Sequence, residues 1–247
     1  MRCPCIACAW FVTFLAPVNA QESDLSTKKS GSQWASERQA AFASYEFQLD
    51  SESLLKLEPR PVLNWSNAER DDCIGSLHIW TRDGQPQLIA CAYTNRDKID
   101  HEFQSLAAEP IVARRNSHDV HRFDPGVEWQ DLARAPKVAD KTALRLVQMR
   151  EQAQRFHVAF GQAERWSDAR LLTQPVFVSP DKSVAVFVFV QGTDPECTLI
   201  LKSKDSQTWQ YALARQTSWG LKVRLDDKEV WGRVEGKVDS SFVVLTE

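Results

Sequence analysis

The sequence predicts an α+β protein with a largely antiparallel, curved β-sheet that is covered on one face by one long amphipathic helix. Residues 184–190 are apolar throughout and mostly β-branched or aromatic, which is typical of a central strand buried on both faces. Residues 140–160 repeat apolar side chains at helical spacing. Short apolar runs separated by polar turns fill most of the remaining chain and favour antiparallel pairing.

The first 20 residues have the composition of an export signal. Arg2 provides a positive charge, residues 6–16 are apolar, and small or modest residues precede Gln21. No later apolar stretch reaches the ~18 to 20 residues of a membrane-spanning helix. We therefore expect cleavage after Ala20 and a soluble, periplasmic or extracellular protein with no membrane span. Residues 21–34 are polar and predict a disordered leader before a single domain over 35–247.

Composition excludes several classes of function. Of the 247 residues, 43% are hydrophobic, which suffices for a substantial core, and the net charge of -3 comes from acids and bases interspersed along the chain. Without a basic stripe, nucleic acid is not an expected partner. Glycine-rich phosphate loops and zinc-type Cys or His spacing are absent, so no cofactor is expected. Three cysteines follow the signal, and their pairing stays open: Cys73, Cys91 and Cys197.

The local patterns predict the following elements in chain order. The Asp83-Gly84 pair between two apolar runs is the strongest hairpin signal. Asp140 is the expected N-cap of the long helix, and Gly161 its C-terminal stop. Expected elements are a helix at 36–44, strands at 45–49, 54–57, 62–65, 74–80, 88–93, 101–106 and 111–113, a loop at 116–136, the helix at 140–160, and strands at 171–178, 184–190, 197–202, 208–214, 219–225, 229–234 and 242–245.

The order of these elements raises the alternative of an internal duplication. Each half contains a helix, a Pro-Val strand and a hairpin whose turn holds glycine and proline. The Pro-Val strands begin at Pro61 and Pro175. The two halves would span residues 35–115 and 138–247. Antiparallel proteins also repeat such units by chance, so one continuous domain is the other interpretation.

The polar segment 191–196 after the central strand is the first candidate site. Asp194 and Glu196 could act as acid, base or ligand groups, with Gln191 and Thr193 as binding residues. The alternative is a turn in which Asp-Pro and glycine serve only the backbone. His101 and Glu102 form a second candidate acid/base pair.

Aromatic and histidine residues suggest two further sites. Trp80, Trp209 and Tyr211 would form a platform for a sugar or protein if they were exposed, and core if they were buried. His118 and His121, with Asp124 nearby, could bind a metal, whereas a solvated polar loop is the alternative.

Four segments resemble an uncharacterised family of exported bacterial proteins of the planctomycete type. They are residues 80–86, 101–107, 189–196 and 209–215. The resemblance implies export and one continuous domain, and it implies no activity. The sequence thus predicts a non-catalytic exported module that binds a protein, a carbohydrate or another small ligand. The alternative is a cell-envelope hydrolase that uses carboxylates of the 191–196 loop.

Overall fold

The computed structural model describes residues 31–67, 73–95, 98–236 and 239–246 and is mainly antiparallel β-sheet. The predicted export signal lies outside these residues. The helices are α1 (Gly31–Ala43) and α2 (Thr142–Ala153). The strands are β1 (Tyr45–Leu49), β2 (Lys56–Leu57), β3 (Leu63–Asn67), β4 (Cys73–Arg82), β5 (Gln85–Asn95), β6 (Lys98–Ser105), β7 (Ile111–Arg115), β8 (His118–Phe123), β9 (Gln130–Asp131), β10 (Phe156–Gln162), β11 (Arg165–Leu171), β12 (Phe177–Val178), β13 (Val184–Gln191), β14 (Asp194–Ser203), β15 (Trp209–Arg215), β16 (Gly220–Leu225), β17 (Lys228–Arg233) and β18 (Phe242–Thr246).

The strands form three sheets rather than the one sheet that was expected. A three-stranded sheet has the order β1-β7-β8, and a six-stranded sheet has the order β18-β6-β5-β4-β2 with β3 also on β4. The nine-stranded sheet has the order β17-β16-β10-β11-β13-β14-β15-β9, with β12 on β13, and curls around its own core. The antiparallel prediction is confirmed. The α+β class is only partly right, because the two helices are short and the protein is mainly β.

The central strand β13 is buried on both faces, as its composition predicted. On one face Ala185, Phe187 and Phe189 join the core inside the curled sheet, which includes Met149 of α2. On the other face the valines of β13 join a core shared with the six-stranded sheet, where Ile79 lies. Helix α2 therefore covers one face of β13, and a second sheet covers the other.

The predicted helix over 140–160 is wrong in its second half. Helix α2 ends at Ala153, and Phe156 begins strand β10. Phe156 and Phe160 fit a helical spacing of four, but they also alternate with exposed or half-exposed residues as in a strand. Gly161 lies inside β10, where a Cβ would be 2.1 Å from the Arg165 carbonyl oxygen, so it serves close strand packing. Lys141 is the N-cap and makes no side-chain capping bond.

The two halves of the chain share their order of elements and most of their strand pairings. We call residues 31–123, from α1 to β8, repeat 1, and residues 142–233, from α2 to β17, repeat 2. In repeat 1, β7 pairs with β1 and β8, and β4 pairs with β2, β3 and β5. In repeat 2, β16 pairs with β10 and β17, and β13 pairs with β11, β12 and β14. The element order is identical in the two repeats.

Bulges align the two repeats residue by residue. The register shifts after Trp80 in β4 and after Phe189 in β13. It also shifts between Ala113 and Arg114 in β7 and between Val223 and Arg224 in β16. Because each pair of bulges falls at the same position in its ladder, the bulges identify Trp80 with Phe189 and Arg114 with Arg224.

The repeats contact each other reciprocally, as the subunits of a two-fold dimer do. In the β4–β5 turn, the Cβ position of Gly84 lies 3.0 Å from Pro180 of repeat 2. At the equivalent position of the β13–β14 turn, Thr193 accepts a hydrogen bond from the Ser66 backbone amide and donates one to the Ser66 carbonyl oxygen. Ser66 and Pro180 are themselves equivalent.

The segment after each repeat adds a strand to the other repeat. After repeat 1, β9 pairs with β15, and after repeat 2, β18 pairs with β6. Each of the two repeats therefore receives a strand from the segment that follows the other. Helix α1 also begins earlier than predicted and takes in residues 31–34 of the expected leader.

One difference between the repeats yields a testable packing prediction. A Cβ on Gly75 would lie 2.3 Å from the Trp65 indole, which donates a hydrogen bond to the Cys91 sulfur. Repeat 2 has Ser179 and Val184 at the equivalent positions. We expect Gly75→Val to lower the free energy of unfolding by about 2 kcal/mol through overpacking, measured in urea.

The pair Trp65→Ser and Gly75→Val provides the control for this prediction. The double variant recreates the pair found in repeat 2, so we expect it to cost less stability than the sum of the single changes. Strictly additive losses would contradict the idea that Trp65 and Gly75 form one packing unit.

Candidate functional site

The 191–196 segment is a hairpin turn and the start of a strand. Gly192 takes a positive φ of 59°, and β14 begins at Asp194, which pairs with Gln191 across the turn. Thr193 is used in the contact with Ser66. Asp194 is buried, and Glu196 is completely buried, so neither carboxylate is presented to solvent on a loop. The interpretation of this segment as a turn fits this geometry better than a loop site does.

Two of the predicted carboxylates nevertheless share one cavity. Glu102 and Asp194 line a space of about 80 Å³ between the six-stranded and nine-stranded sheets. The Tyr93 hydroxyl donates a hydrogen bond to Glu102 Oε1 at 3.4 Å. Burial, and then the charges of Glu102 and Asp194, raises the pKa of the nearby Cys91 thiol. The space holds only a few water-sized groups, far less than the ~300 Å³ of a small ligand pocket.

His101 does not form an acid/base pair with Glu102. Successive residues of a strand point to opposite faces of the sheet, so the two side chains diverge. His101 is completely buried under α1, and its Nδ1 lies 3.2 Å from the Tyr45 hydroxyl. The predicted pair is therefore wrong.

The predicted aromatic platform is also wrong. Trp80 and Trp209 are each 1% exposed and Tyr211 is 3% exposed, so all three belong to the core. Tyr211 contacts Phe156 edge to face, and its hydroxyl donates to Gln130 Oε1 at 2.6 Å.

The predicted histidine metal site does not form among the described residues. His118 Nδ1 lies 2.8 Å from the Asn116 carbonyl oxygen, and His121 Nε2 lies 3.1 Å from the Ser240 carbonyl oxygen. Asp124 instead accepts a hydrogen bond from the Ser240 hydroxyl. In the described ranges, no three His, Cys, Asp or Glu side chains come together in a group that could hold a metal ion. The segment expected to be a solvated polar loop forms strand β8 instead, and this strand has an exposed edge.

A groove that sequence reasoning missed lies on the outer face of repeat 2. We call it the outer groove. It joins two cavities, of about 310 and 270 Å³, that share a wall. The shared residues are His157, Val158, Asp168 and Arg224. At 310 Å³ the larger cavity reaches the size of small-molecule pockets.

Strand β11 creates this groove by changing partners. It pairs with β10 as far as Ala169 and then with β13 from Arg170 onward. The start of β10 and the end of β11 therefore separate. Phe156, Leu171 and Phe189 line the larger cavity, so the groove has an apolar floor below a polar rim.

Polar and charged side chains line the rim of the outer groove. His157 and Arg224 stand directly opposite each other on β10 and β16. Among the described residues, neither side chain makes a hydrogen bond or ion pair, and the same holds for Asp168 and Glu229. The Lys222 ammonium lies 4.1 Å from the centre of the Trp166 ring, at the other end of the smaller cavity.

In repeat 1, the arginine at the position equivalent to Arg224 has hydrogen-bond partners. Arg114, the equivalent of Arg224, donates to Asp119 Oδ1 at 2.8 Å and to Gln48 Oε1 at 2.6 Å. In repeat 2, Glu229 occupies the position of Asp119 but forms no hydrogen bond or ion pair with the described part of the chain, and Ala159 occupies the position of Gln48. The shorter side chain removes one partner of the arginine and leaves space beside it. An alignment of the two repeats would have revealed this difference from the sequence.

Comparisons with known proteins add no relative to this geometry. No family model, curated protein or solved structure matches the chain. Over the part of the chain that the structure describes, none of the helices has the length and apolar character needed to span a bilayer.

Proposed function

We propose that the protein is a non-catalytic exported module that binds a small organic acid in the outer groove. The observation that carries this proposal concerns Arg224, which borders a ligand-sized cavity and makes no hydrogen bond or ion pair with any residue that the structure describes, whereas its counterpart Arg114 donates to two acceptors. Export rests on the composition of residues 1–20 and remains a prediction.

The chemistry of the rim favours a carboxylate or phosphate group. A guanidinium presents a fork of N–H donors that matches both groups, and His157 opposite it offers a further donor. Asp168 and Glu229 can accept hydrogen bonds from hydroxyl or amino groups of the same ligand. Trp166 provides an apolar ring at the far end. The fitting ligand is a small acid that also carries hydroxyl or amino groups, such as an acidic sugar.

The hydrolase alternative has weaker support. Glu102 and Asp194 do line one cavity, as an acid and a base would, but its volume of about 80 Å³ leaves no room for a substrate beside them. Asp194 is 7% exposed and Glu196 is fully buried. An envelope substrate would have to reach these groups through the interface between the two sheets.

Arg224→Gln tests the binding proposal directly. We expect a panel of glucuronate, glutamate and glycerol phosphate to include a ligand for the wild-type protein, measured by calorimetry or by NMR shifts at low salt. Losing a charged bidentate contact costs ~1.5 to 3 kcal/mol, which weakens binding about 10- to 150-fold.

Arg114→Gln is the matched control because it changes the same residue at the equivalent place in repeat 1. Binding should be unaffected in this variant, since Arg114 already has its partners. Equal weakening in both variants, or no binding of any acid in the panel to the wild-type protein, would refute the assignment of the groove.

A further inference from the structure

A buried polar cluster lies beneath α1 in repeat 1. Its five members are each at most 6% exposed: Arg38, Tyr45, Ser76, His78 and His101. Arg38 Nε donates to Ser76 Oγ at 3.3 Å, and His78 Nε2 lies 3.0 Å from the same oxygen. Tyr45 contacts His101. This set, which we call the α1 cluster, joins the helix to β1, β4 and β6.

Repeat 2 builds the same architecture without these groups. The equivalent positions hold Met149, Phe156, Ala185, Phe187 and Tyr211. These residues belong to the continuous apolar core of the curled sheet or line it. The fold therefore does not require a polar cluster under its helix, and burying such groups is costly. A role other than folding would account for the cluster.

The two charged or titratable groups that lower the pKa of His78 are both bases, Arg38 and His101. The groups that face it are Arg38 from α1, Ser76 on its own strand and His101 from β6. The Phe42 ring of α1 packs between the two imidazoles, with ring centroids 4.6 Å from His78 and 5.0 Å from His101. Burial, followed by the charge of Arg38, lowers the pKa of His78 to about 4. His78 is thus neutral at pH 7.

We propose that the α1 cluster is an acid-sensitive latch, in which protonation of His78 beside Arg38 releases α1 from the sheet while repeat 2 keeps its helix. A second buried cation next to the guanidinium repels it, and the simplest way to reduce this repulsion is to undock α1, the element that carries Arg38. Release of α1 also withdraws Phe42 and uncovers the aromatic surface of Trp80 and Phe103 on which it packs.

The sign of the pH dependence follows from the lowered pKa. When α1 is docked, His78 binds a proton less readily than in the released state, where its pKa returns to about 6.5. The docked state is therefore favoured above pH 6.5 and loses stability as the pH falls toward 4. Between pH 7.5 and pH 5 the opening equilibrium of α1 should rise about 30-fold by this linkage.

Amide hydrogen exchange of the full chain at pH 7.5 and pH 5.0, corrected for intrinsic exchange rates, tests the latch. We expect protection in peptides from α1 to fall about 30-fold, and protection in peptides from α2 to change less than threefold. Helix α2 serves as an internal control because it occupies the same place in repeat 2 and shares its core with Phe187 instead of a histidine.

His78→Phe, which introduces the residue found in repeat 2, should abolish the loss of protection at pH 5.0. If this variant folds poorly, a triple variant replaces it. The triple variant introduces the apolar residues of repeat 2 at three positions of the cluster: Arg38→Met, Ser76→Ala and His78→Phe. His118→Gln, an exposed change outside the cluster, should behave as wild type. Equal loss of protection in α1 and α2, no loss in either, or persistence of the α1 response without His78 would each overturn the proposal.

Discussion

Cut between Pro136 and Lys137, the chain is expected to yield two fragments that do not fold alone but fold when they are mixed. Both residues are exposed in the segment between the repeats, so the cut itself removes no core contact. The large effect comes from what each fragment lacks. Each repeat contains its own strands, but half of the core between the sheets belongs to the other repeat.

The shared core makes the fragments interdependent. Leu77 and Ile79 of repeat 1 and Val186 and Val188 of repeat 2 lie in one cluster, and each is completely buried. Separation would expose these apolar faces on both fragments. It would also remove β9 from β15 and β18 from β6, leaving unpaired sheet edges. A single repeat therefore presents a sheet with an uncovered face and an open edge.

Circular dichroism and analytical ultracentrifugation of the separate and mixed fragments measure this outcome. We expect aggregated or unfolded fragments and a 1:1 complex with the β-sheet spectrum of the intact chain. An independently folded, monomeric fragment of either repeat would show that the interface is a contact between two finished domains.

Phe187→Ala is expected to remove about 3 to 5 kcal/mol from the free energy of unfolding. Phe187 is completely buried in the curled sheet, in the same core as Met149 and Ala153 of α2. The other members of this core come from α2 and from several strands of the curled sheet, so they cannot all move together into the space that the ring leaves. The loss of stability should then be the sum of two terms, the transfer free energy of the buried ring and the full free-energy cost of the cavity.

Val147→Ala on α2 is the matched control, because Val147 is 46% exposed and should change stability by less than about 0.5 kcal/mol. Urea unfolding at pH 7 compares the variants. A loss below 1 kcal/mol for Phe187→Ala would mean that the core of the curled sheet repacks freely.

The sequence predicts an element well where its residue pattern fits only one type of secondary structure. Residues 184–190 include no polar side chain, which fits a strand buried on both faces. The Asp83-Gly84 pair predicts a hairpin turn, and the positive φ values of both residues confirm it. Residues 156–160 allow two solutions, because Phe156 and Phe160 suit both a helix and a strand. Pairing of β10 with β11 and β16 decides between them, and those partners lie elsewhere in the chain.

The candidate site depends even more on distant partners. Trp80 and Trp209 are buried because other elements of the fold pack over them, and local sequence patterns do not predict that packing. Glu102 and Asp194 can be named from the sequence as candidates, but only the sheet packing shows that they share a space and that this space is small. Arg224 has no distinguishing local pattern. Its significance appears only when Arg114 is placed beside it and the loss of the Gln48 partner is noticed.

The strand β18 also sets an order of events during synthesis. Strand β6, whose free edge β18 covers, is made early, whereas β18 follows every other described strand. Until then the six-stranded sheet exposes an unpaired edge, a state that invites pairing with other chains. The six-stranded sheet of repeat 1 therefore stays incomplete until residues 242–246 have left the ribosome, and deletion of β18 should first destabilise β6, more than 130 residues earlier in the chain.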